Sequence, residues 1–457
     1  MKHIQDTIAA IATPMGAGAV GIIRLSGPES LGLAYRLFYP PEKELKPYQL
    51  THGWITGRQG RILDEVLVSF MPGPRSYTGE DIIEINCHGS PAILEAVLEA
   101  VLSLGARAAE PGEFTKRAFL NGKMDLTQAE AVLEMINAPT ETGVCLARNK
   151  LQGHLSGKIR SLREKLEELK RQLCVAVDFP EEEIECLPGN EIASRADACV
   201  NEISAITRDY DQARIWTDGV LAVLTGRVNA GKSSMMNAVL GRERAIVTDI
   251  PGTTRDYLEE AVNLSGLPVR LVDTAGLRQA RDQVEIKGMQ RGRELIDCAD
   301  ILILVLDSTL EPSSHELKVL NSVPPEKTLI ALNKWDLVSA APNWVLNLES
   351  SHSHTYRISA INGTGLKELL DGVRKIALSG RVANPEGALV PNLRQKNSLE
   401  KAAHELSQLA GEASQHVPYD LLAARLDYAC SHLDQVTGQI TSEEILNSIF
   451  DNFCIGK

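Results

Sequence analysis

Three textures of apolar and polar positions follow one another along the chain. Over residues 1–120, Val20–Leu25, Glu65–Phe70 and Asp81–Asn86 read as short strands with glycine and proline between them. Pro91–Leu104 reads as a helix ended by Gly105, so this segment is expected to be α+β. From about 121 the pattern turns helical, with Thr127 and Glu130 at capping-box spacing before Ala131-Val132-Leu133. Leu151, Leu155, Ile159, Leu162, Leu166, Leu169 and Leu173 then recur at steps of three and four, the stripe of one long helix. Pro180 and Glu181–Glu183 end it, and Glu191–Trp216 is helical again. From Gly219 the short apolar runs Val220–Leu224, Val269–Val272, Ile301–Leu306, Thr328–Leu332 and Thr355–Ile358 alternate with helix-length segments. That predicts a parallel sheet covered on both faces. Helical text returns after about 380, at Ser398–Leu409, Tyr419–Leu433 and Ser442–Phe450.

The two helical stretches flank the α/β segment and contain no strands. One helical domain interrupted by an inserted α/β domain is the economical reading, with two separate helical domains as its alternative. The expected organisation is multidomain: an α+β N-terminal domain (1–120), an all-α domain in two parts (121–218 and 381–457) and an inserted α/β domain (219–380). With 44% hydrophobic and 23% charged residues over 457 positions, the chain can bury several cores. A net charge of −13 argues against a wholly basic nucleic-acid binder but leaves room for a local RNA-binding patch. No window approaches 18 apolar residues, so no membrane span is expected. Asp6, Pro14 and Gly16 bracket the apolar run Ile8–Ile11, which argues against a secretory signal. Eight scattered cysteines without a C-x-x-C speak against zinc or disulfides and for a reducing, cytoplasmic setting.

The chemistry concentrates in the α/β segment. Gly226-Arg227-Val228-Asn229-Ala230-Gly231-Lys232-Ser233 fits G-x-x-x-x-G-K-[ST], placed after one strand and before the helical Ser234–Leu240. Its glycines let backbone N–H groups turn onto phosphate oxygens. Lys232 reaches the β- and γ-phosphates, and the Ser233 hydroxyl suits Mg²⁺. Asp273-Thr274-Ala275-Gly276 follows the next motif-bearing strand, where the Asp holds Mg²⁺ through water and the Gly meets the γ-phosphate. Asn333-Lys334-Trp335-Asp336 follows another; Asp336 can accept from guanine N1–H and the 2-amino group, which adenine lacks. Ser359-Ala360 closes the series beside the base. Four motifs in order at strand ends resemble the GTPase superfamily and select guanine over adenine.

Between the first two motifs lies Thr248-Asp249-Ile250-Pro251-Gly252-Thr253-Thr254, where Thr254 or Thr253 is the switch threonine that caps Mg²⁺. Leu277 stands where many regulatory GTPases place a water-orienting Gln. Hydrolysis therefore needs other groups. The Asn229 amide oxygen and the hydroxyls and carbonyls of Thr248–Thr253 are hard donors suited to a monovalent cation, which can take the part of an arginine finger.

The whole arrangement, ending in Cys454-Ile455-Gly456-Lys457, resembles the MnmE (TrmE) family of tRNA-modification GTPases. Matching strings include Gly21-Ile22-Ile23-Arg24, Tyr77-Thr78-Gly79-Glu80-Asp81, His88-Gly89, Pro111-Gly112-Glu113-Phe114, Arg117-Ala118-Phe119-Leu120-Asn121, Asp125-Leu126-Thr127-Gln128-Ala129-Glu130 and Asp178-Phe179-Pro180. Val228 and Pro251 are small departures at positions that supply no side-chain ligand.

The resemblance implies C5 modification of the wobble uridine of certain tRNAs, to an aminomethyl or carboxymethylaminomethyl derivative. The work is shared with the flavoprotein MnmG in a heterotetramer. The one-carbon unit comes from 5-formyltetrahydrofolate or another tetrahydrofolate derivative on the N-terminal domain, which also makes the homodimer. It assigns K⁺ to Asn229, Thr248, Ile250 and Thr253, and Mg²⁺ to Ser233 and Thr254. GTP contacts fall on Asn229, Ala230, Gly231, Lys232, Ser233, Ser234, Thr248–Thr254, Asp273–Gly276, Asn333–Asp336, Ser359 and Ala360. Glu285 helps position the attacking water, although by pattern alone it is a solvated helix residue. Folate falls to Arg24, Glu84, Lys123 and Lys457: Glu84 suits the pterin N–H edge, Lys123 an anionic glutamate tail. Cys454 becomes a flexible thiol near the folate with a catalytic part, a buried structural cysteine being the alternative. It is not a prenylation site, since Gly456 and Lys457 break that pattern. A ribosome-assembly GTPase that acts by binding alone is the competing reading.

Overall fold

The computed structural model describes residues 6–41, 44–57, 60–178, 187–242, 245–246, 259–273, 295–296, 298–379, 387–415 and 417–457. The chain divides into two compact units: Met1–Leu133, Ser156–Leu187 and Val417–Lys457 in one, and Glu134–Leu155 and Pro188–His416 in the other.

In the first unit seven strands form one sheet: β1 (Ile8–Ile11), β2 (Val20–Ser26), β3 (Phe38–Tyr39), β4 (Leu50–Thr56), β5 (Ile62–Met71), β6 (Ile82–His88) and β7 (Arg107–Ala108). Their order is β3-β4-β5-β6-β2-β1-β7, antiparallel except where β7 joins β1. Strand alternation sends Ile23 and Leu25 of β2, Val66 and Val68 of β5, and Ile83 and Ile85 of β6 to one face. The helices Ser30–Leu37 and Pro91–Ser103 cover that face with Leu33, Leu37, Leu94, Val97 and Val101. Each such buried aliphatic side chain contributes about 1.5–3 kcal/mol. The alternate positions, Arg24 and Glu84 among them, are left on the opposite face and paired in register.

The second unit holds the other sheet: β8 (Val220–Thr225), β9 (Ala245–Ile246), β10 (Glu259–Leu264), β11 (Leu267–Asp273), β12 (Ile301–Asp307), β13 (Thr328–Asn333) and β14 (Thr355–Arg357), in the order β14-β13-β12-β8-β11-β10-β9. Five strands are parallel, as the continuous apolar runs require. The all-parallel expectation is corrected at one edge, where β10 runs antiparallel to β11 and β9 to β10. The β10–β11 hairpin turns at Ser265-Gly266, both with positive φ, the two-residue geometry whose twist matches antiparallel strands.

Helices before the inserted sheet pack on helices after it. Gly189–Thr217 lies against Leu393–Ser414, and His154–Asp178 is ion-paired to Tyr419–Thr437 through Arg163–Asp434 and Lys170–Asp427. Two local expectations change. The leucine stripe is shared by two helices, because Glu141–Leu151 ends before the positive-φ Gly153 and the next begins at His154. The cap of Leu126–Asn137 is Asp125 with Gln128, which exchange backbone bonds of 3.0 Å each way. Thr127 instead turns inward to the Ser156 hydroxyl at 2.7 Å.

Candidate functional site

The strand ends of the parallel sheet converge on the phosphate loop. β8 runs into Gly226, and the helix Lys232–Arg242 starts at the motif lysine. Gly226 and Gly231 have φ of +143° and +94°. A Cβ on Gly226 would lie 2.2 Å from the Val305 carbonyl oxygen, and one on Gly231 2.1 Å from Asn333 Nδ2. Only glycine allows this close a wrap. The Lys232 ammonium, 5% exposed, spans the loop and donates to the carbonyls of Gly226 at 2.9 Å and Arg227 at 2.8 Å. Ser233 Oγ donates to Asp273 Oδ2 at 2.9 Å, which pairs a hydroxyl and a carboxylate as a hard-oxygen set. These donors fit Mg²⁺, and the inward loop fits a polyphosphate. Asn229 is exposed and holds a left-handed φ of +64°.

Asn333 ties the base loops to the phosphate loop. Its Nδ2 donates to the Ala230 carbonyl at 2.8 Å, and its Oδ1 accepts from the Ala360 amide at 3.0 Å. Lys334 pairs with Asp307 Oδ2 at 2.7 Å. Burial pushes the Asp307 carboxyl up, but Lys334 and Thr309 outweigh it and hold the carboxyl below its ordinary value. Asp336 is exposed in a short 3-10 turn, Trp335–Leu337. Ser359 is buried beside Ala360, and its hydroxyl accepts from the Asn362 amide at 3.2 Å. Thr248, Asp249, Ile250, Pro251, Gly252, Thr253, Thr254, Thr274, Ala275, Gly276 and Glu285 lie outside the described residues. Two acids escaped the sequence reading. Asp307 ends a strand just as Asp273 does, a signal that was available. Glu316, 2% exposed, accepts from the Arg227 amide at 3.2 Å, and nothing in its local pattern announces that.

The C-terminal tail docks on the first unit. Arg24 Nε donates to Glu84 Oε1 at 2.9 Å, and Arg24 Nη1 to the Gly456 carbonyl at 3.1 Å. The Phe114 amide donates to the Lys457 carbonyl at 3.2 Å. Gly456 needs its bare Cα here: its φ is +95°, and a Cβ would meet the Ile11 carbonyl oxygen at 2.4 Å. Burial and the Arg24 charge push the Lys457 ammonium below its ordinary value, against the pull of Glu84 and Cys454. Arg24, Glu84 and Lys457 are thus brought together, with Cys454 exposed beside them. Lys123 is not among their bonding partners; its ammonium donates to the Pro74 carbonyl at 2.8 Å.

The chain matches two family models, "GTP-binding protein TrmE N-terminus" over residues 7–123 and "MnmE helical domain" over 126–454. It is 50% identical over 462 residues to the tRNA modification GTPase MnmE of Nitratidesulfovibrio vulgaris, covering 100% of both chains. It is 43% identical to that of Lawsonia intracellularis, over 99% of this chain and 100% of the relative. With the MnmE of Carboxydothermus hydrogenoformans it shares 41%, again over 99% and 100%. The chain belongs to the MnmE family of tRNA modification GTPases.

As an MnmE-family protein it binds and hydrolyses GTP in tRNA modification. It combines an α+β N-terminal domain, a helical domain and an inserted P-loop domain. The family strings of the N-terminal domain resolve into an ion network built on the buried Arg117 and Glu113, with Asp6 and Arg107 at its exposed rim. Arg117, 1% exposed, reaches Asp6 Oδ1 at 2.7 Å, Glu113 Oε1 at 3.0 Å and Glu80 Oε2 at 3.3 Å. Arg107 adds Glu113 at 2.5 Å and Asp6 at 2.8 Å, and Glu80 accepts from Ser26 at 2.7 Å. Among the described residues no helix is long and apolar enough to cross a membrane.

For the base loops, Asp336→Asn is expected to move preference from guanine towards xanthine, since the amide donor suits a 2-oxo group. The lost charge-assisted pair is expected to cost GTP about 1.5–3 kcal/mol of affinity, measured by titration with GDP and XDP. Unchanged discrimination would place the base elsewhere.

Proposed function

We propose that the chain is a K⁺-activated GTPase that works with the flavoprotein MnmG to install an aminomethyl or carboxymethylaminomethyl group at C5 of the wobble uridine of certain tRNAs. A tetrahydrofolate derivative, 5-formyltetrahydrofolate among the candidates, supplies the one-carbon unit. Hydrolysis of GTP drives a conformational cycle in the cytoplasm. The observation that carries this reading beyond GTP turnover is the docked tail, which sets Cys454 and Lys457 beside the Arg24–Glu84 pair. Glu84 orients a pterin N–H edge, Arg24 holds Glu84 and the tail backbone, and Lys457 with Lys123 attracts an anionic glutamate tail. The Cys454 thiol is then poised near the transferred carbon.

In the P-loop domain, Ser233 and Thr254 hold Mg²⁺ with Asp273 behind Ser233. Asn229 offers its amide oxygen to K⁺ together with Thr248, Ile250 and Thr253. Glu285 positions the attacking water in place of the Gln that Leu277 replaces. Backbone N–H groups of Asn229–Ser234 and the Lys232 ammonium neutralise the phosphates. To reach them, Lys232 must leave the two loop carbonyls it now caps.

A homodimer through the N-terminal domain has a surface available. On the sheet face opposite the helices Ser30–Leu37 and Pro91–Ser103, Leu50, His52, Glu65 and Leu67 are exposed on β4 and β5. The domain boundaries follow as 1–120, 121–218, 219–380 and 381–457. Two measurements test the proposal together. Hydrolysis is expected to need K⁺ and to fall at least tenfold in Na⁺, the scale of losing one transition-state charge contact. Wobble nucleosides from cells lacking the protein are expected to lose the C5 substituent by mass analysis. Equal turnover in Na⁺ and K⁺ would refute cation activation, and unchanged nucleosides would refute the tRNA role.

A further inference from the structure

The base loop is braced by side chains as well as by its backbone. The Trp335 indole packs on the apolar cluster that contains Leu306, Leu332, Val345 and Leu348. The Arg357 guanidinium stands over its ring, 4.5 Å from the centroid. Arg357 is in turn held by both Glu349 oxygens, at 2.6 and 2.7 Å. Glu349 rides on the helix Asn343–Ser351, whose Val345 and Leu348 sit in the same cluster, so the helix presses on the indole and fixes the cation above it. The Trp335 amide donates to the Ile358 carbonyl at 3.0 Å, one residue beyond Arg357. The end of β14 therefore grips the loop by backbone and side chain at once. Lys334 is pinned at a left-handed φ of +62°, and Asp336 is presented by the 3-10 turn that starts at Trp335.

We propose that Arg357 is a positioning residue for guanine recognition: the Glu349–Arg357–Trp335 stack fixes the turn that presents Asp336, and so sets how sharply guanine is distinguished from bases with an altered edge. The proposal rests on the reading that Asp336 accepts from guanine N1–H and the 2-amino group. A carboxylate that accepts two N–H bonds at once loses both through a small tilt, since hydrogen bonds weaken steeply with angle. Non-specific phosphate binding does not depend on that tilt. The preference for GDP over IDP, which lacks the 2-amino group, therefore reports the alignment of Asp336 directly.

The test is calorimetric titration of the full chain with GDP and with IDP. Arg357→Ala is expected to lower the GDP-over-IDP preference about fivefold, a partial loss of the charge-assisted pair. Arg357→Lys, which keeps a cation over the ring but cannot bridge both Glu349 oxygens, is expected to recover part of it. Asp336→Ala is expected to abolish the preference, and adding Arg357→Ala to it to change the ratio no further. If Arg357→Ala weakens GDP and IDP equally, or lowers only the melting temperature with the ratio intact, Arg357 is merely structural and the proposal is overturned. If it lowers the ratio as much on top of Asp336→Ala, it acts by another route and the proposal is again overturned. If Asp336→Ala itself leaves the ratio intact, the base-reading assignment is lost, and the proposal with it.

Discussion

Replacing Arg117 by methionine is expected to destabilise the N-terminal unit by about 3 kcal/mol, the low end of the scale for removing one partner from a buried ion pair, because Asp6 stays partly solvated. The side chain is 1% exposed and serves three carboxylates, those of Asp6, Glu80 and Glu113. Methionine fills much of the volume but leaves Asp6 and Glu113 to share Arg107 and takes from Glu80 the guanidinium it faces. Arg117→Lys is expected to recover only part of the loss, because an ammonium cannot fork between Asp6 and Glu113 as the guanidinium does. The network also predicts acid sensitivity. Burial raises the Asp6 and Glu113 carboxyls, but Arg107 and Arg117 outweigh it and hold both below their ordinary values. Groups with depressed folded-state pKa values add stability above their unfolded pKa of about 4, and that stability is lost as pH falls through the folded values. Urea unfolding of the full chain followed by amide-exchange protection in β1, β2 and β6 measures both effects. A wild-type midpoint in Arg117→Met would show that the cluster contributes nothing net.

That network also shows where a sequence stops being legible. The strings around Glu80, Glu113 and Arg117 could be matched to a family, yet their physical role depends on Asp6, which is 111 residues from Arg117. No local pattern marks a charge as buried when its partners come from distant strands and turns. The nucleotide site was legible for the opposite reason. The phosphate loop is one contiguous string whose glycines and lysine each answer a geometric demand, and the motifs at Asp273 and Asn333 each begin at the end of a buried apolar strand. Edges were harder to read. Glu259–Leu264 lacks the continuous apolar run of a central strand, so the antiparallel hairpin with Ser265-Gly266 was missed, although that turn was its local signal. Similarly, Leu151 and Leu155 are four apart, and the stripe crosses the break at Gly153 without a change of period. Arg24 and Glu84 were marked by the family resemblance alone; their pairing across β2 and β6, and their meeting with Gly456, 432 residues from Arg24, are set by tertiary folding.

Deleting Cys454–Lys457 is expected to leave GTP hydrolysis near the wild-type rate while wobble-uridine modification falls by two orders of magnitude or more, the scale of removing a group that acts only at the reacting centre. The tail residues belong to the first compact unit and the phosphate loop to the second, so the deletion removes no described contact of the nucleotide site. It does remove the carbonyl that Arg24 holds and the ammonium beside Glu84. The chain passes between the units four times, at 133–134, 155–156, 187–188 and 416–417. A change of state at the nucleotide can therefore be transmitted through several segments, but only by as much as GTP binds one arrangement better than the other. On that view hydrolysis is a conformational drive and not a source of phosphate for RNA. Glu285→Ala should then bind GTP and 5-formyltetrahydrofolate yet fail to support modification. Mass analysis of wobble nucleosides alongside phosphate release separates the outcomes. Full modification by the tail-deleted chain would leave the tail without a role in the chemistry, and full modification by a hydrolysis-dead chain would break the link between the two sites.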